Sequence, residues 1–73
     1  MAMKFLNTTM EFQIGDAVRK TIGNTKTWYT VAGFYQSRHN AGSDVIDWVL
    51  LERYEDGMKI KSDESPEWLT RSL

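Results

Sequence analysis

Short runs of strand-forming residues, separated by turn-forming residues, are the feature that most constrains what this chain can fold into. Met10, Phe12 and Ile14 alternate with polar residues, which is the period of a strand with one inward face. Two longer runs, TWYTVAGFYQ at 27–36 and VIDWVLLERY at 45–54, are rich in β-branched and aromatic residues. Because no segment shows a helical pattern of useful length, we predict an all-β protein.

Turn signals divide the chain into predicted strands. Gly15-Asp16 is typical of a tight bend, and Gly33 predicts a bend or a close backbone approach within its strand. Residues 55–57, Glu-Asp-Gly, predict a hairpin turn, and residues 65–68 predict one short helical turn. Five strands are therefore predicted, at residues 17–21, 27–36, 45–54, 58–62 and 69–73. Closing these strands into a small barrel would remove the exposed edges, so we predict a five-stranded barrel with a short helical turn before its last strand.

Composition limits how such a small chain can be stabilised. The 73 residues include no cysteine and one histidine, which excludes disulfides and a cysteine-based zinc site. We therefore expect good packing or self-association, and no metal. We assign residues 10–73 to one domain and residues 1–9 to a flexible N-terminal arm. The absence of a long apolar run and of a signal-peptide profile predicts a cytoplasmic protein without a membrane span.

The predicted strand at 45–54 is apolar on both alternating faces. One face carries Ile46, Trp48 and Leu50, and the other carries Val45, Val49 and Leu51, with Asp47 between them. One face must fill the barrel, whereas the other needs cover from a second copy or a partner protein. The pattern leaves open which face is inside. We predict an interface in this strand at Val45, Asp47, Trp48, Val49 and Leu51.

Two segments of the sequence resemble a known family. The stretch FQIGDAVRKTIG, the segment VAGFY at 31–35 and the short helical turn before the last strand resemble SH3-like barrels. Within that fold, the two segments are similar to those of the plasmid-borne type II dihydrofolate reductases. The resemblance implies a homotetramer around a central pore in which NADPH and dihydrofolate meet.

The same resemblance implies a set of ligand-binding positions. Lys20 matches a lysine that helps to bind the anionic ligands of that family. In the strand that matches the reductase active site, Ile60 is retained, whereas Lys59 and Lys61 stand where the family has glutamine and tyrosine. A tetramer would thus bring lysines of all subunits together, which needs neutralising anions.

A third reading is a small barrel that binds nucleic acid. Lys59 and Lys61, with Arg19 or Lys20, could line a groove for a polyanion. The candidate stacking platforms are Trp28, Tyr29, Phe34 and Tyr54. The acidic pI of about 5.7 and the lack of a basic cluster longer than two residues count against this reading.

The sequence contains no nucleophile motif, phosphate loop or metal pair. The first hypothesis is therefore a non-catalytic SH3-like binding module without a cofactor, acting through protein contacts or self-association, and an accessory or inhibitory factor is one form that it could take. The alternatives are the NADPH-binding reductase tetramer and the nucleic-acid-binding barrel. Charge reversal at Asp47 or truncation of Trp48 is expected to abolish association under the first hypothesis.

Overall fold

The computed structural model describes residues 3–71, and it is all-β apart from one 3₁₀ turn. The strands are β1 (Lys4–Phe5), β2 (Ala17–Lys20), β3 (Trp28–Tyr35), β4 (Val45–Ile46), β5 (Trp48–Glu55), β6 (Met58–Glu64) and β7 (Leu69–Arg71), with the 3₁₀ turn at Pro66–Trp68 before β7. The prediction of an all-β chain with a short helical turn before the last strand is confirmed. Residues 1–2 of the predicted arm and residues 72–73 of the predicted last strand lie outside the described residues.

Five strands form an antiparallel sheet in the order β6-β5-β3-β2-β7. The chain's last strand thus lies beside β2, and β6 and β7 are the two edges. Within residues 3–71 no ladder joins these edges, so the sheet is open. The 3₁₀ turn separates the two edge strands, and Pro66 at its start cannot donate a ladder hydrogen bond.

The inner face of this sheet carries the hydrophobic core. Its buried residues are Phe12, Val18, Val31, Val49, Leu51 and Leu69, and four partly buried side chains, Phe5, Met10, Tyr29 and Phe34, pack against them. Val49 and Leu51 therefore point inward from β5, and Leu50 between them points outward. This settles the question that the apolar pattern of 45–54 left open.

Two turns behave as their sequences predict. Asp56 and Gly57 both have positive φ, 53° and 78°, and join β5 to β6 as a two-residue hairpin loop, in which Glu55 pairs with Met58. Gly33 lies at a register shift in the β3–β5 ladder, where a Cβ atom would stand 3.3 Å from Leu50 Cδ1. The register shift agrees with the bend predicted at Gly33, whereas the nearest atom belongs to a side chain and not to the backbone.

The predicted strand at 45–54 is interrupted at Asp47. This residue is only 8% exposed, and its carboxylate accepts hydrogen bonds from Ser37 N–H at 2.7 Å and from Asn40 Nδ2 at 3.1 Å. These bonds hold the loop that precedes β4 against the end of the sheet. The hydrogen bonds from Ser37 lower the pKa of Asp47, and they outweigh desolvation, which raises it. The single strand of the prediction is therefore two strands, β4 and β5.

The N-terminal segment also differs from the prediction. Lys4 N–H donates to the Asp44 carbonyl at 2.8 Å, and Leu6 N–H donates to the Ile46 carbonyl at 2.9 Å, so that β1 and β4 form a parallel pair. Phe5 makes edge contacts with Phe12 and Phe34, at ring-centroid distances of 5.3 Å and 5.2 Å. Residues 4–6 are thus attached to the domain, although their own sequence shows no strand periodicity.

Candidate binding surface on the outer face of the sheet

Residues that pair across antiparallel strands share a face, so the ladder register defines the outer face of the sheet. Tyr35 of β3 pairs with Trp48 of β5, and their rings stack at 6.0 Å with 12° between the planes. Leu50, 38% exposed, follows on the same face of β5. We call Tyr35, Trp48 and Leu50 the apolar ridge. It is a partly exposed apolar surface on β3 and β5, at one end of their ladder.

Charged side chains of β6 border the apolar ridge. Asp63 pairs with Leu50, and its Oδ2 accepts a hydrogen bond from the Tyr35 hydroxyl at 2.9 Å. This hydrogen bond raises the pKa of Tyr35. Lys61 lies two residues away on the same face of β6, opposite Glu52. The border of the ridge therefore carries an anion and a cation side by side.

A cavity of about 360 Å³ opens where β3 and β5 separate. The ladder between these strands begins at the Thr30–Glu52 pair, and beyond it the strands diverge. The cavity is lined by Trp28, Thr30, Glu52 and Tyr54, together with the inner-face residues Tyr29 and Arg53. We call these six residues the aromatic cleft. Trp28 is 46% exposed and Tyr54 is 69% exposed, so both aromatic side chains are accessible from solvent.

Cations lie over the aromatic rings of the cleft. Arg19 of β2 lies 5.2 Å from the Trp28 ring centroid, and Lys59 of β6 lies 5.8 Å from that of Tyr54. Lys59 also contacts Glu52 at 3.4 Å, and the attraction of Glu52 is the main cause that raises the pKa of Lys59. These contacts fix both cations beside the cleft while they remain charged.

Arg53 is the cation within the cleft itself. Its guanidinium lies 5.8 Å from the Tyr29 ring centroid, and Nη1 contacts Glu55 at 3.0 Å. Desolvation lowers the pKa of Arg53, but hydrogen bonds to Glu55 and Tyr29 raise it, and the net shift is upward. Its buried Nε has no hydrogen-bond partner among the described residues. A permanent positive charge with spare donor capacity is therefore held between the two strands.

The structure does not bring the four predicted ligand-binding residues together. Lys20 lies on the inner side, where Nζ donates to Ser62 Oγ at 3.0 Å and lies 5.2 Å from the Tyr29 ring centroid. Because adjacent strand residues face opposite ways, Ile60 also lies on the inner face, whereas Lys59 and Lys61 lie on the outer face. The two outward lysines flank the aromatic cleft and the apolar ridge, and Lys20 connects β2 to β6.

The predicted interface residues are divided in the same way. Val49 and Leu51 are core residues with no surface for a partner, and Asp47 anchors a loop. Val45 is half-buried in β4. Of the five predicted interface residues, only Trp48 belongs to the apolar ridge. Leu50 was not among the predicted interface residues. The alternation of β5, which places Leu50 on the same face as Trp48, is the signal in the sequence that could have identified it. Tyr35 depends on the β3–β5 register, which the sequence does not specify.

Residues 3–71 contain no group of three metal-ligating side chains placed to hold an ion. None of the helices found in this part of the chain is long and apolar enough to cross a membrane. Comparison with protein-family models, with curated protein sequences and with solved structures gives no match to this chain.

Proposed function

We propose that this protein is a non-catalytic binding module with an SH3-like barrel fold. The fold proposal is supported by the position of the last strand beside β2 and by the 3₁₀ turn that leads into it. It is also supported by Lys20, whose contact with Ser62 links β2 to the far edge strand β6 on the inner side. Such a contact draws the open sheet into a curved shape.

The observation that carries the binding function is the apolar ridge. A stacked tyrosine and tryptophan and an outward leucine lie together on the outer face, next to the charged side chains of β6. Contact sites are enriched in aromatic residues because these bury much area with little loss of side-chain entropy. The surface therefore suits contact with another protein rather than catalysis.

The binding partner that we propose for the apolar ridge is a second copy of this chain. In a two-fold symmetric contact the same patch meets itself, so a self-complementary border is required. Lys61 and Asp63 lie on one face of β6 beside the ridge, and a two-fold axis that crosses β6 between them would place each against its opposite charge in the other copy. A 73-residue domain without disulfides also benefits from the area that a dimer buries.

Light scattering tests this proposal by measuring the native mass against the chain mass of 8.5 kDa. We expect a dimer that Leu50→Asp converts to a monomer with an unchanged circular dichroism spectrum. The matched control is Ile22→Asp, which places the same charge on an exposed apolar residue far from the ridge. A monomeric wild type would exclude self-association, and a dimer that survives Leu50→Asp would exclude the ridge.

The charged border gives a sharper test of the contact geometry. Lys61→Asp alone should weaken the dimer, because it places like charges opposite each other. Adding Asp63→Lys restores the complementary order and should restore the mass. Repeating the measurement with NADPH tests the reductase-like alternative, which requires a tetramer and NADPH binding. A dimer indifferent to NADPH would count against that alternative.

A further inference from the structure

We infer that the aromatic cleft is a second binding site, for a base of single-stranded nucleic acid. The cleft shares no residue with the apolar ridge, but Lys61 at its margin also belongs to the charged border of the proposed dimer. Two accessible aromatic side chains, Trp28 and Tyr54, stand on opposite sides of a cavity of about 360 Å³. This volume lies at the lower end of the range of ligand sites, which suits one planar ring system.

Each of the two aromatic rings is held in place by a contact with a cation. Arg19 and Lys59 lie over Trp28 and Tyr54, respectively. Such a contact restricts the aromatic side chain and, through the positive charge, favours an electron-rich base beside it. Nucleobases of any sequence present a flat π-face, so two such rings recognise a base without reading its identity.

The charges around the cleft favour a polyanion. Among residues 3–71, Lys59 and Arg53 form ion pairs with Glu52 and Glu55, whereas no ion pair involves Arg19 or Lys61. Four cations against the three carboxylates of Glu52, Glu55 and Asp63 give this region a local charge of +1, in a chain whose formal net charge is −1. A positive local charge therefore lies beside two exposed aromatic rings, Trp28 and Tyr54.

Arg19 and Lys61, the two cations of this region that form no ion pair within residues 3–71, lie on opposite sides of the cleft. Arg19 is on β2 and Lys61 is on β6, and β3 and β5 lie between them. Three strand spacings separate these strands, about 14 Å along the sheet. A single-stranded nucleic acid that crosses the sheet can thus place one phosphate at each cation and the intervening nucleobase in the cleft. Arg53 also lines this cavity and supplies a guanidinium there.

An acidic peptide is the other polyanion that could use these cations, but it would leave the two rings without a stacking partner. Nucleic acid uses both the rings and the charges. The two classes are distinguished by probes that keep the charge and remove the bases.

The experiment measures fluorescence anisotropy of an end-labelled oligothymidylate with the full chain at low salt. Two phosphate contacts predict a slope of log K against log salt of about −1.4. Trp28→Ala and Tyr54→Ala should each weaken binding roughly 5- to 150-fold, which corresponds to the loss of one base–aromatic stack. Tyr54→Phe retains the ring and should bind like the wild type, as should Met58→Ala, which changes an exposed residue of β6.

An abasic oligonucleotide of equal length should bind far more weakly than oligothymidylate, and polyglutamate should compete poorly. Equal binding of the abasic probe, or efficient competition by polyglutamate, would overturn the proposal in favour of a general anion surface. Absence of oligothymidylate binding at low salt would also overturn it. Because Tyr54 is largely exposed, its substitution leaves the fold intact, and circular dichroism verifies this for both alanine variants.

Discussion

Phe5→Ala is the substitution that most directly tests whether the N-terminal segment belongs to the domain. Phe5 makes two edge-to-face aromatic contacts, with Phe12 and Phe34. Such contacts contribute about 0.5–1.5 kcal/mol each beyond area burial, or roughly 1–3 kcal/mol for the two. Partial burial of the ring adds about 1 kcal/mol, because a fully buried phenylalanine gains about 1.5–3 kcal/mol. The expected loss is therefore roughly 2–4 kcal/mol.

That loss is large for a chain of this size. At about 0.05–0.15 kcal/mol per residue, the free energy of unfolding of a domain this long is only roughly 4–11 kcal/mol. Thermal unfolding followed by circular dichroism should show Tm lower by roughly 10–30 °C, since 1 kcal/mol corresponds to about 4–8 °C in small domains. Met3→Ala, at an exposed position in the same segment, is the control and should leave Tm nearly unchanged. A Phe5→Ala protein with wild-type Tm would refute the reasoning and support a mobile arm.

Two further predictions concern Asp47 and Gly33. The folded pKa of Asp47 is lowered from its ordinary value of 3.8, so its stabilising effect is complete above that pH and is lost as pH falls through the folded pKa. Urea unfolding of wild type and Asp47→Asn should therefore show a constant stability difference at neutral pH that narrows in acid, and a difference independent of pH would contradict the assignment. Gly33→Ala should stabilise the protein by about 0.5 kcal/mol, because it removes the strand-glycine penalty and the added methyl meets only the mobile end of the Leu50 side chain, 3.3 Å away. A lower Tm would show that Leu50 cannot move aside.

The parts of the fold that depend on local sequence could be predicted. The hairpin at Asp56-Gly57, the strand irregularity at Gly33 and the 3₁₀ turn before β7 each follow from a few adjacent residues. The division of 45–54 into two strands could not be predicted, because it depends on hydrogen bonds from a distant loop to Asp47. The pairing of β1 with β4 is also non-local, and two residues are too few to show a period.

The candidate site could be predicted only as a set of residue types. Trp28, Tyr29, Phe34 and Tyr54 are equally suitable stacking platforms in the sequence, but the sheet register sorts them. Phe34 packs on the core and Tyr29 lies on the inner face, whereas Trp28 and Tyr54 remain exposed. The basic residues are sorted in the same way, since Lys20 points inward and Lys61 points outward. Burial by distant strands decides both outcomes, and a single sequence does not contain that information.

The alternation along β5 separates two kinds of mutational freedom. Substitutions at Val49 and Leu51 act on the core, whereas substitutions at Trp48 and Leu50 act on the exposed surface. Natural variation confined to the outward positions can therefore change the exposed surface in single steps, while the core packing and the stability that it provides are kept.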